Sequence, residues 1–210
     1  RELIAHLSVY NKVPQIEVAI GEEVTAMVMR NMEALTAADE VLLKAFADKW
    51  NIQWWLQPGG PETVAPFYPL GKELYYSLPE FKVRMPFKPT DFTQVNHHIN
   101  RVLVHKALLL LEVQPEDRVA DLFCGLGNFT LPLATQAREV VGIEGSTSLT
   151  ERALDNAKAN GLGDKTTFYT RNLFDATTED LIALGKFHRM LTDPPRDRAV
   201  AIGNPLAVLR

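Results

Sequence analysis

Cysteine is nearly absent: Cys124 is the single one in 210 residues. A disulfide framework is therefore excluded, and the expected setting is reducing and cytosolic. Long apolar runs are missing too. The longest unbroken one, Ala107–Leu111, has five residues, against the ~20 that a membrane-spanning helix needs. Net positive charge is lacking: the formal charge is −4. No global field draws such a chain to nucleic acid, and any basic partner surface has to be local. The sequence shows no signal-like stretch, internal repeat or low-complexity tract, and it starts at Arg1, as a processed or excised chain would. What is present is ordinary globular composition, 46% hydrophobic and 23% charged. That is enough apolar surface to offset ordering entropy in one good-sized domain or two small ones.

The two parts of the chain follow different patterns. In residues 1–90, β-prone runs at Leu3–Tyr10, Gln15–Ile20 and Thr25–Asn31 predict a small antiparallel meander. Thr36, with Glu40 four residues on, predicts a capped helix whose buried stripe is Val41, Leu42, Ala45 and Phe46. Pro58–Pro61 reads as a turn, and Leu74–Leu78 with Phe81–Phe87 as a hairpin around Pro79-Glu80. From residue 91 strands and helices alternate. A helix over Asn96–Glu112, expected to bury Ile99, Val102, Leu103 and Leu108–Leu111, precedes strands at Arg118–Phe123, Glu139–Ile143, Thr166–Tyr169 and Phe187–Leu191. Helices are expected between them, at Asn128–Gln136, Ser148–Asn160 and Glu179–Leu184. This order implies right-handed crossovers and a parallel sheet, with ligands beyond the carboxyl ends of its strands. The fold class expected is thus α/β, an incomplete Rossmann-like parallel sheet over 91–210 preceded by a small α+β domain over 1–90.

The strand ends carry the informative residues. The first ends on Asp121 and runs into Cys124-Gly125-Leu126-Gly127-Asn128, where glycines two apart let backbone approach a ligand. Thr130 stands where a dinucleotide fingerprint needs its third glycine. Pyrophosphate therefore fits poorly, and a smaller ligand with an amine and a carboxylate fits better. Asp121 can take an ammonium or hold the loop. Glu144 ends the second strand, placed for both hydroxyls of a ribose or simply as a carboxylate at a helix N-terminus. Asn172 follows the third strand, to read an adenine edge or to cap its loop. After the fourth comes Asp193-Pro194-Pro195-Arg196, in which two prolines stiffen the turn and remove two donors. Jointly these four strand ends describe a site for S-adenosylmethionine and make the expected core that of an S-adenosylmethionine-dependent methyltransferase.

On these residues the sequence resembles the bacterial RNA uracil-5-methyltransferases, in particular those that form 5-methyluridine in large-subunit ribosomal RNA. The matching segments are Asp91–Asn96, Val113–Val119, Asp121–Ala134, Val141–Gly145, Asn156–Gly161 and Asp193–Arg196. The resemblance implies that Gln94 lies at the cofactor and target base with Phe92 beside it, and that Gly125 and Gly127 line the methionine end. It further implies that Glu144 holds the ribose, that Asn172 sits near the adenine, and that Asp193 faces uracil and sulfonium. Gln94 and Asp193 are accordingly the catalytic candidates. In the family a cysteine thiolate adds to carbon 6 of uracil, the resulting enolate attacks the methyl group, and a base removes the carbon 5 proton. Both groups follow the Asp-Pro-Pro-Arg motif by tens of residues, so Cys124 is expected to be a buried filler. The family's iron-sulfur cysteines and N-terminal RNA-binding barrel have no counterpart in residues 1–90. The expectation is a fragment of a cytoplasmic, ribosomal RNA-modifying enzyme, cut at both ends and without turnover alone. Its sheet edge after the fourth strand offers a route to self-association.

Three other readings stand beside this one: a transfer RNA uracil-5-methyltransferase, a non-catalytic RNA- or protein-binding module with this fold, and a methyltransferase acting on an exocyclic nitrogen. Arg196 stands where that last class places an aromatic residue. His97, Arg101 and His105 share a helix face, either for RNA or merely solvated. Lys82, Arg84 and Lys88 alternate, as a phosphate-binding strand or an exposed hairpin would. Trp50, Trp54 and Trp55 either stack a base or pack the core.

Overall fold

The computed structural model describes residues 2–195. Within them the chain divides into two compact units, 2–76 with 86–95, and 77–85 with 96–195.

The first unit is built on a four-stranded mixed sheet in the order β1 (Gln15–Ile20), β2 (Thr25–Arg30), β3 (Ile52–Gln57), β4 (Ala65–Tyr68). β1 and β2 pair antiparallel as expected, but β3 joins β2 in parallel. Two parallel neighbours need a crossover, and helix α2 (Ala37–Trp50) supplies it. Residues Leu3–Tyr10, expected as a strand, form none: α1 spans Glu2–Ala5, turns follow over 6–9, and a 3-10 turn stands at Tyr10–Lys12. Leu3, Ile4 and Leu7 recur at helical spacing, and all three reach the core cluster of Met29, Leu43, Ala47 and Trp54. Thr36 caps α2 as expected, but its reciprocal partner is Asp39, not Glu40. The buried stripe is shifted as well. Leu43 and Ala47 are inside, whereas Val41 and Leu42 are exposed, because Asp39 turns inward to reach Ser8 and sets the helix phase. Trp54 is core, with its indole Nε1 donating to the Leu43 carbonyl; Trp55 donates to Gln53, and Trp50 is exposed.

The second unit holds a four-stranded parallel sheet in the order β10-β7-β8-β9. Its strands are β7 (Arg118–Leu122), β8 (Glu139–Glu144), β9 (Thr166–Thr170) and β10 (Arg189–Thr192). The strand order reverses beside β7, with β8 on one side and β10 on the other, and such a switch point opens a crevice at the carboxyl ends. Ala120, Leu122, Val141 and Ile143 face one core with Leu173, Leu184 and Phe187. On the other face pack α4 (Thr130–Gln136) and α5 (Thr147–Ala159). Helix α3 (His97–Leu111) starts at Asn96, whose side chain accepts from the Ile99 amide. Its buried residues are Asn100, Val104 and Leu108; Ile99, Val102, Leu103, Leu109 and Leu110, expected inside, are exposed. A buried asparagine fixes this phase: Asn100 exchanges two amide hydrogen bonds with Asn128, at 2.8 and 2.9 Å. A short helix α6 (Thr178–Ile182) precedes β10.

Strands β5 (Tyr75–Leu78) and β6 (Val83–Pro86) form the expected hairpin. Residues 77–85 of it belong to the second unit. Arg101 Nε donates to the Ser77 carbonyl at 3.0 Å, His105 Nδ1 meets Glu80 at 2.8 Å, and Asn160 pairs with the backbone of Arg84. Arg101 and His105 are thus straps on the hairpin. Among the described residues no helix is long and apolar enough to cross a membrane.

Candidate functional site

The site grows from the carboxyl ends of β7, β8 and β10. Directly after β7 the chain turns through Phe123 and Gly125, both at positive φ (64° and 55°), and Gly127 at 97°. At Gly127 the glycine is required twice over, by that φ and because a Cβ would stand 2.6 Å from Leu131 Cδ1. At Gly125 a Cβ would meet nothing within 4 Å. Open space over this backbone is what a ligand approaching the turn needs.

The loop is pinned from several elements. Glu144, at the end of β8, accepts from the Gly125 amide through Oε2 at 3.1 Å and from the Ser146 amide through Oε1 at 3.0 Å. Asn156 on α5 donates to the Leu126 carbonyl at 3.1 Å, and the Asn100–Asn128 pair ties the loop's far end to α3. These asparagines do work that sequence reasoning missed. The Asn156–Gly161 segment, one of those that carry the resemblance, is the available signal, but apolar periodicity gives no weight to buried amides.

Asp121 ends β7 fully buried. Its Oδ2 accepts from Thr130 Oγ1 at 2.5 Å, while Oδ1 has no hydrogen-bond partner. Burial above all pushes its carboxyl up to about 7, the negative charges of Asp193 and Glu144 adding to the effect and the Thr130 hydrogen bond opposing it. Asp121 therefore lies close enough to both other acids to feel their charge. Of the two roles left open for Asp121, the bond to Thr130 in the first turn of α4 fits loop holding. Asp193 follows β10, solvent-exposed, with its amide 3.4 Å from the Leu122 carbonyl. Arg196 lies outside the described residues.

Asn172, after β9, is exposed; its Oδ1 accepts from the Phe174 amide and its Nδ2 donates to Asp175. Those bonds cap the loop, and Phe174 also packs on Phe123 with ring centroids 5.3 Å apart. Phe92 and Gln94 are exposed residues of the segment 86–95 in the first unit. Lys82 is the left-handed cap of a 3-10 turn, not a strand residue, while Arg84 and Lys88 are exposed.

Cys124 is buried, and its thiol is pushed well above the usual cysteine range by burial first, then by the charges of Asp121 and Glu144. Its sulfur occupies space that Gly142 leaves: a Cβ there would sit 2.9 Å from Sγ. This is the environment of a packed thiol and the opposite of one that favours a nucleophilic thiolate. Among the described residues no group of three or more His, Cys, Asp or Glu side chains is placed to hold a metal.

Comparison with known proteins adds to this geometry. The sequence model described as tRNA (uracil-5-)-methyltransferase matches residues 77–197, more than half of the chain. The chain belongs to that family. It is 65% identical over 209 residues to a 23S rRNA (uracil(1939)-C(5))-methyltransferase of Cupriavidus pinatubonensis, covering 100% of this chain and 45% of the relative. The same enzyme of Ralstonia pickettii is 63% identical over 209 residues, with 46% of its length covered. The chain therefore spans about half the length of the curated relatives it matches. Among solved structures, the Pyrococcus abyssi tRNA (uracil-54, C5)-methyltransferase in complex with S-adenosyl-L-homocysteine superposes with a TM-score of 0.65 at 20% identity, over 90% of this chain and 45% of that one. The tRNA m1G37 methyltransferase of Methanocaldococcus jannaschii gives 0.58 at 13% identity, over 92% and 56%. The fold of the family's Rossmann-like methyltransferase core, expected from the alternation of elements, is thus borne out.

Proposed function

We propose that this chain is part of an S-adenosylmethionine-dependent enzyme that methylates carbon 5 of a uridine in 23S ribosomal RNA. The observation that carries the proposal is a glycine turn after β7 that leaves open space over Gly125 and is held by Glu144 from the neighbouring strand, with Asp121 beneath it near enough to feel the charges of Glu144 and Asp193. S-adenosylmethionine supplies the electrophilic methyl group. The residues present fit it: open backbone at Gly125, the Glu144 carboxylate beside it, and an acid beyond the next strand. Glu144, with one lone pair on each oxygen already engaged, keeps others for ribose hydroxyls. The resemblance assigns Gly125 and Gly127 to the methionine end, Asn172 to the adenine and Asp193 to the uracil. The roles of Gln94 and Phe92 rest on the resemblance alone.

The attacking thiolate and the proton-abstracting base belong elsewhere in the complete protein, since Cys124 is packed and its thiol held protonated. An iron-sulfur cluster, where the complete protein carries one, draws its ligands from outside residues 1–210, as Cys124 is the only cysteine among them. Ribosomal RNA is the partner, the cytoplasm the location, and pairing of two copies along the outer edge of β10 a further contact that sedimentation at rising concentration tests. The identities of 60–65% to 23S rRNA enzymes favour ribosomal over transfer RNA.

Calorimetry of the 210-residue chain with S-adenosylhomocysteine tests the site; no binding at saturating ligand overturns it. Methyl transfer by the complete protein to 23S and transfer RNA transcripts tests the substrate. Turnover by this chain alone would overturn the assignment of the thiolate and base to other segments.

A further inference from the structure

Two asparagines one helical turn apart sit at the end of α5, in the segment Asn156–Gly161. Gly161, at φ 69°, closes the helix: its amide donates to Lys158 and that of Leu162 to Ala157, the paired bonds of a Schellman ending. That ending leaves Asn160 at the cap, where its side chain both accepts from the Arg84 amide (2.8 Å) and donates to the Arg84 carbonyl (2.7 Å). Asn160 thus serves the hairpin. Asn156, 2% exposed, faces the other way in function: its Nδ2 donates to the Leu126 carbonyl at 3.1 Å.

The Leu126 carbonyl belongs to the Leu126–Gly127 peptide, whose amide donates to the Cys124 carbonyl at 2.9 Å, so that Asn156 holds its other end. Leu126 itself is buried, so its carbonyl has little water to turn to. Glu144 fixes the amide of Gly125 from one side, and Asn156 fixes the next peptide from the other. We infer that Asn156 is a positioning residue for the cofactor, holding the Gly125–Gly127 peptides in the conformation that receives the methionine end without itself touching the ligand. The inference rests on the cofactor site proposed above.

The test uses the 210-residue chain and S-adenosylhomocysteine. Asn156→Asp keeps the shape but replaces the donor with an acceptor facing a carbonyl. Affinity is expected to fall about tenfold or more near neutral pH, the usual consequence of leaving a buried carbonyl unpaired. The ratio of variant to wild-type affinity should recover toward one as pH falls toward the pKa that burial raises at this site, where a protonated carboxyl donates again. A purely structural role would lower the melting temperature without this pH-dependent ratio. Asn160→Ala, which removes the hairpin contact and a bond to the Asn156 backbone carbonyl but leaves the Asn156 side chain in place, is expected to keep the affinity within about twofold. If Asn156→Asp does not fold, Asn156→Ser, which retains a shorter donor, is judged by the same affinity. A wild-type chain that binds while the Asn156 variants bind equally well overturns this inference alone; a wild-type chain that does not bind overturns the site, and the inference falls with it.

Discussion

The Oε2 atom of Glu144 lies 3.1 Å from the amide of Gly125, so the acid at the end of one strand holds the glycine turn at the end of its neighbour. On the function proposed above, the same side chain also receives a ribose. Glu144→Ala is expected to weaken S-adenosylhomocysteine binding by ~1–3 kcal/mol, the range for losing charge-assisted hydrogen bonds. Glu144→Gln, which keeps one acceptor for Gly125, should lose less. Calorimetric affinities equal to wild type for both variants would remove Glu144 from the site.

Asp121 sets a pH dependence of the ligand-free protein. An acid whose folded pKa is raised, here from 3.8 to about 7, contributes stability in its protonated form. That contribution is fully present below about pH 4 and is lost as pH rises through about 7. Stability, and with it the melting temperature, should therefore decline between about pH 4 and 7 in wild type and level off above, with an upper bound on the order of 4 kcal/mol for the stability lost. In Asp121→Asn the decline should be flattened. Parallel profiles for the two proteins would show that Asp121 ionises normally.

Much of this arrangement was legible in the sequence, and the errors share a cause. Alternation and breakers located β7 to β10 and the helices between them to within a few residues, because short β-prone runs alternate with amphipathic ones and the turns between them carry Gly, Asn and Pro. Both helix-phase errors came from buried polar residues. Asp39 in α2 and Asn100 in α3 turn inward to specific partners, and a pattern built on apolar side chains rotates away from them. The helical start of the chain was missed because Leu3, Ile4 and Leu7 suit a strand as well as a helix until α2 is there to pack against. At the site, acids and glycines stood out by position after strands. Asn156 did not, since its value depends on a carbonyl 30 residues away. Arg101 and His105 illustrate the same limit: spacing put them on one face but could not name the hairpin as their partner.

Asp39 shows the opposite pH behaviour. Its carboxylate receives the Ser8 amide and hydroxyl and the Thr36 amide and hydroxyl, at 2.5–2.9 Å. Burial works against the charge, but these four bonds together hold the carboxyl well below the usual range. Its stabilising contribution is present above about pH 4 and lost as pH falls toward the depressed value. Asp39→Ala should cost about 1–3 kcal/mol near neutrality, since four hydrogen bonds and half of the capping box of α2 are lost. The difference from wild type should shrink as the solution is acidified. Urea unfolding at several pH values measures both effects.

Cys124 and Gly142 form a packing pair that separates a structural thiol from a reactive one. A Cβ on Gly142 would stand 2.9 Å from Cys124 Sγ and 2.7 Å from the Phe168 ring, well inside van der Waals contact. Gly142→Ala is expected to destabilise by about 1–3 kcal/mol through overpacking, and Cys124→Ala in the same chain should recover part of that loss by vacating the sulfur's space. With the thiol held protonated by burial and by two acids, a thiol reagent near pH 8 should label Cys124 only as fast as the chain opens, and much faster in denaturant. Cys124→Ala should also bind S-adenosylhomocysteine within about twofold of wild type, because the side chain serves the core beneath the loop rather than the ligand. Rapid labelling of the native protein would mean that the loop exposes this sulfur.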